Sequence, residues 1–154
     1  MKRIIAFAIF MCLVSVVAGC GAKPHENVLM DENIEKAVEA ATEVITLLYS
    51  PKDEAELLKN NEKIKNLVSQ DLYTSRFDIN DEEIFYIYYY SFEGANLKLN
   101  IIDTVAEVDK ETGIVKVAII YSVVYTYPTD IENVVYTGIL KYNTGKIISF
   151  DEYS

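Results

Sequence analysis

The chain has 154 residues, about one domain's worth, with 24 Asp and Glu against 14 Lys and Arg and a net charge of −10. So negative a balance, with no basic stripe, repels phosphate backbones and anionic headgroups and sets nucleic-acid binding aside. Both cysteines, Cys12 and Cys20, and the single histidine, His25, precede the part that folds. A disulfide framework, a cysteine-based metal site and imidazole catalysis therefore lack their residue types, and no cofactor is implied.

Lys2-Arg3 forms a positive start, Ile4 to Val17 an apolar run, and Val17-Ala18-Gly19 a set of small residues before Cys20. This is the order of an export signal, and the run is shorter than the ~20 residues a membrane-spanning helix needs. Val17-Ala18-Gly19-Cys20 resembles the lipobox of bacterial lipoproteins. That resemblance implies removal of residues 1–19 as a lipoprotein signal peptide. It also implies diacylglycerol on the Cys20 thiol and a domain held at the outer side of a bacterial cell membrane. An ordinary signal peptide, cut after Gly19, leaves Cys20 as an unmodified thiol instead. Two or three acyl chains anchor a protein stably where one does not. Residues 20–30 are polar, contain Pro24 and are expected to act as a lipid-anchored tether. Ten extended residues reach at most about 33 Å, so the domain expected over 31–154 stays near the membrane surface.

Asp31 is a plausible N-cap, with acidic residues following where the helix dipole favours them. Ile34, Ala37, Val38, Ala41, Val44, Ile45 and Leu48 recur at three- and four-residue spacings, which predicts an amphipathic helix. Ser50-Pro51 stops it, and Ser50 or Asp53 can begin a second helix reaching about Ser69, with a narrower apolar stripe. Residues 71–80 read as irregular, with Leu72, Tyr73 and Phe77 folding back onto the core. In the stretch from Asp81 to Gly94 six aromatics crowd between Phe85 and Phe92. Aromatic content favours a strand there, whereas Asp81-Glu82-Glu83 resembles a helix start; strand is the preferred reading.

Beyond Asn96 the pattern is that of a β-meander. Strands are expected at Leu97 to Asp109, Ile114 to Tyr127, Ile131 to Tyr142 and Ile147 to Tyr153, with turns at the Asp109–Gly113, Pro128–Asp130 and Asn143–Lys146 segments. The expected fold class is α+β, with two N-terminal helices packed on a twisted antiparallel sheet of four to five strands. That element order, closing on a C-terminal hairpin, resembles the cystatin-like and nuclear-transport-factor-like cone. Small envelope domains of type IV secretion and conjugation systems, and many lipoproteins of Gram-positive bacteria, are similar in size and layout. The resemblance implies an assembly or interaction module with an envelope protein partner. A lipid anchor in place of a membrane-spanning helix departs from the secretion proteins.

Candidate sites follow from what is left. Asp78, Asp81, Glu82 and Glu83 cluster, but without the glycine and terminal glutamate of a calcium loop, so a solvated turn is expected and no metal. Asp103 in an apolar strand is a candidate general base if it points inward; the alternative is an outer-face or bulge position. Tyr86, Tyr88 and Tyr90, extended by Tyr121, Tyr125 and Tyr127, are the candidate binding surface, because tyrosine gives large contact area at low entropic cost. The expected role is a non-catalytic envelope interaction module. A small hydrophobic-ligand carrier using the concave side of the sheet is the alternative, and an Asp103/tyrosine enzyme a third reading.

Overall fold

The computed structural model describes residues 24–81 and 95–154. Three helices, α1 (Pro24–Tyr49), α2 (Glu54–Leu67) and α3 (Gln70–Arg76), precede four strands, β1 (Asn96–Val108), β2 (Val115–Thr126), β3 (Ile131–Asn143) and β4 (Lys146–Tyr153). The strands form one antiparallel sheet in the order β1-β2-β3-β4, and the helices pack on it as an α+β domain. The sequence reading of fold class is met. The preferred strand at 82–92 lies outside the described residues.

Helix α1 forms because its apolar stripe finds the inner face of the sheet. Ala37, Ala41, Val44 and Ile45 are fully buried and Leu48 nearly so. Alternation on β2 supplies the matching face: Val115, Val117, Ile119, Tyr121, Val123 and Tyr125 all point inward and are buried. Leu140, Ile147 and Phe150 complete this core from β3 and β4. A glycine at 138 lets the helix approach closely. A Cβ there would meet Phe150 at 3.3 Å and Ile45 and Tyr121 each at 3.4 Å.

Two expectations need correction. The helix already includes Pro24 to Met30, where an extended tether was expected. Nothing between His25 and Asp31 breaks a helix, and a helix nucleated by its buried face propagates into such a segment at little further expense. Residues 70–76, expected to be irregular, form α3. Its two turns are too short to show a period. Its start is set by Ser69, whose hydroxyl accepts from the Leu72 N–H at 3.3 Å, and its hold by buried Leu72, Tyr73 and Phe77.

Local chemistry fixes the remaining joints. Asp53, one of the two expected starts, is the N-cap of α2, accepting from the Glu56 N–H at 2.8 Å. Asn61 is buried in α2 and joins it to the end of α3: its Nδ2 donates to the Phe77 carbonyl at 2.6 Å and its Oδ1 accepts from the Tyr73 hydroxyl at 2.8 Å. Asn60 likewise donates to the Leu47 carbonyl of α1 at 3.1 Å. These buried amides explain the narrow apolar stripe of α2. The β3–β4 turn has Thr144 and Gly145 at φ 47° and 85°, the two left-handed positions of a tight hairpin. No helix among the described residues is long and apolar enough to cross a membrane.

Candidate functional site

The inner end of the sheet gathers the most unusual chemistry. Tyr49 comes from the last turn of α1, Tyr121 and Tyr125 from β2, Tyr136 from β3 and Glu152 from β4. Cross-strand pairing of Tyr121 with Tyr136 and of Gly138 with Glu152 brings them to one face. The Tyr49 hydroxyl donates to Glu152 Oε1 at 2.9 Å, and the Tyr121 hydroxyl donates to the same oxygen. The Tyr125 and Tyr136 hydroxyls pair at 3.2 Å. Ring centroids of Tyr49, Tyr121 and Tyr136 lie 5.5 to 5.7 Å apart in every pairing.

Burial pushes the Tyr49, Tyr121 and Tyr125 phenols well above the ordinary tyrosine range. The Glu152 charge adds to the shift of Tyr49, its hydrogen bond to that of Tyr121, and the Tyr136 hydroxyl to that of Tyr125. These groups are therefore hydrogen-bond donors and neither nucleophiles nor bases near neutrality. Chemically the cluster is a clamp: one carboxylate ties the end of α1 to β2 and β4. Tyr49, Tyr136 and Glu152 were not singled out in the sequence. For Tyr136 and Glu152 the signal was parity, since Tyr136 shares its face with Gly138 and Leu140, and Glu152 shares its face with Phe150.

Two residues of the expected binding surface, Tyr121 and Tyr125, lie in the core instead. Tyr121 is 0% exposed and Tyr125 is buried, so both belong to the core, and Tyr127 is half-buried where β2 ends. Neither Tyr121 nor Tyr125 can serve an exposed surface, because alternation directs both toward α1. Tyr86, Tyr88, Tyr90 and Cys20, the expected lipidation residue, lie outside the described residues. Asp103 is exposed beside a bulge in β1, where the register skips Ile102, and its carboxylate accepts from the Thr104 N–H at 2.8 Å. Asp78 caps a local turn, accepting from the Asn80 N–H at 3.1 Å and from its Nδ2 at 2.8 Å, while Glu82 and Glu83 lie outside the described residues. Among the described residues no group of three His, Cys, Asp or Glu side chains could hold a metal ion.

The outward face carries a few aliphatic side chains among polar ones such as Asn100, Asp103, Lys116, Thr137 and Lys141. Val105 of β1, Ile120 of β2 and Val135 of β3 project from the outer face of the sheet, with Val105 60% and Val135 51% exposed. Ala118, Val124 and Ile139 lie half-buried between them, and Ile131 is exposed at one end. Lys116, paired with Glu107 at 3.4 Å, borders this face at the β1–β2 hairpin.

No protein-family model matches the chain, and no curated protein matches it. A solved structure similar to it is the solution NMR structure of a de novo designed β-sheet protein. That protein is 15% identical, with 80% of this chain and 88% of that chain covered and a TM-score of 0.44.

Proposed function

We propose that this chain is a non-catalytic, lipid-anchored lipoprotein of a bacterial cell envelope, whose α+β domain binds another envelope protein as an interaction or assembly module. The observation that carries this reading is the division of the sheet into two faces. The inner face is filled by α1, while the outer face leaves Val105, Ile120 and Val135 in solvent. A sheet already packed on one side is stable without an apolar second side, so those side chains serve contact with something outside the domain. The acidic surface disfavours anionic lipid and nucleic acid as that contact and leaves protein.

The carrier reading draws less support, because α1 occupies the concave side that a ligand would need. The enzyme reading loses Asp103 to solvent and the tyrosines to burial. Membership of a secretion or conjugation apparatus, and the cystatin-like or nuclear-transport-factor-like relationship, rest on the resemblance in element order.

Crosslinking on intact cells of the native host, followed by mass analysis, tests the module. A reproducible protein adduct that disappears in Val135→Glu is the expected result; since Val135 is more than half exposed, that variant keeps its fold. Absence of any adduct from well-crosslinked cells overturns the reading. The anchor is tested separately: Cys20→Ala should leave the membrane fraction, and its stable retention there refutes lipidation at Cys20.

A further inference from the structure

The second edge of the sheet carries a feature that the outer face does not explain. β4 pairs with β3 on one side, and on its other side only the start is covered among the described residues. There the link between α2 and α3 runs alongside as a one-residue parallel bridge, Val68 to Ile147, with the Ser69 N–H donating to the Ile147 carbonyl at 2.8 Å. At Ser69 the chain turns away into α3. Past that point β4 and α3 diverge around a groove of about 520 Å³. Asp71, Leu72, Ser75 and Arg76 form one wall and strand residues 148–151 the other.

We infer that this groove accepts an extended, basic and apolar segment of a partner protein, which adds as a strand to the edge of β4. Three observations converge on that occupant. An edge strand offers a row of backbone N–H and C=O groups, and the Val68–Ser69 bridge shows this edge engaging an extended segment of the chain itself. The register skip at Ile148 leaves its side chain partly exposed at the groove, giving an added strand an apolar contact. Phe150 is buried under the Arg76 guanidinium, which lies 4.7 Å from its ring centroid, so the floor is already packed.

Charge selects the partner. Asp71 and Asp151 are exposed, one on each rim, and outnumber the cation of the lining, Arg76, whose guanidinium lies over the Phe150 ring, in a chain of net charge −10. A second copy meeting this edge would bring like carboxylates together, whereas lysines or arginines alternating with apolar residues complement them.

This inference adds a second contact, at the β4 edge, to the interaction reading and rests on it, but its test is independent of the cellular one. The full-length protein in detergent, isotopically labelled, is titrated with an octapeptide of alternating valine and lysine. The expected result is saturable binding, with slowed amide exchange along residues 148–153 and resonance shifts at Leu72 and Ser75. N-methylation of alternate peptide amides should weaken binding at least about tenfold, since strand addition uses those N–H groups. The double substitution Asp71→Asn, Asp151→Asn should weaken it about three- to tenfold at low salt, with the difference fading as salt rises. No protection on β4, equal binding by the N-methylated peptide, or tighter binding of an alternating valine–glutamate octapeptide overturns the inference. Protection along β4 that grows with protein concentration in the absence of peptide assigns the edge to a second copy and overturns it as well. A cellular adduct with a silent β4 would refute the groove and leave the interaction module standing.

Discussion

Alkali should unfold this protein steeply, and the tyrosine clamp sets the slope. Tyr49, Tyr121 and Tyr125 have folded-state pKa values raised above the ordinary value of 10.0. A raised folded pKa contributes stability that is fully present below the unfolded pKa and is lost as pH climbs past it. Above about pH 10 the unfolded chain gives up these protons while the folded one keeps them. Each phenol then removes about 1.4 kcal/mol per pH unit, and three together about 4 kcal/mol per unit. A domain of ordinary stability, about 5–15 kcal/mol, loses much or all of it within roughly two units. The assay is urea denaturation followed by circular dichroism at closely spaced pH values from neutral upward. Tyr121→Phe removes one of these protons, so its slope should fall by about 1.4 kcal/mol per pH unit, whatever the variant's stability at neutral pH. A stability that stays flat through this range, or an undiminished slope in Tyr121→Phe, would refute the reasoning.

Three further outcomes are expected. Asn61→Ala strands the Tyr73 hydroxyl and the Phe77 carbonyl in a buried site and should cost about 2–4 kcal/mol in urea denaturation; a loss under about 1 kcal/mol would count against the α2–α3 joint. Gly138→Ala pushes a methyl to within 3.3–3.4 Å of Phe150, Ile45 and Tyr121 and should lower stability by about 1–3 kcal/mol, read as a fall in Tm; an unchanged or higher Tm would show slack between α1 and the sheet. Asp103→Asn, at an exposed bulge, should change stability by no more than about 0.5 kcal/mol, and a larger loss would mean that the carboxylate does more than cap the Thr104 N–H.

The correction on the tyrosines has a simple cause. Read by composition, twelve tyrosines suggest a contact surface. Read by parity, Tyr121 and Tyr125 fall on the same side of β2 as Val117, Ile119 and Val123, and burial follows. Composition says how much aromatic area exists; alternation says where it points. The hydroxyls then needed partners, and Tyr49 and Tyr121 find theirs in Glu152, far away in sequence.

From the sequence alone follow the four strands, their turns, the buried stripe of α1 and the α+β class, because all of these are written in periods of two and 3.6 residues and in local turn and cap chemistry. Asp53 as a cap and the Asn143–Lys146 turn were equally legible, since each is decided within four residues. What only the tertiary structure decided depends on register and on contacts between distant segments. It brings Tyr49, Tyr121, Tyr136 and Glu152 from four elements onto one clamp. It skips Ile102 and leaves Asp103 in solvent, and it stabilises α3, too short to signal itself, through burial of Leu72, Tyr73 and Phe77. It also opens a groove between α3 and the edge of β4. No local pattern encodes these, because the energy that fixes them comes from side chains meeting across the fold.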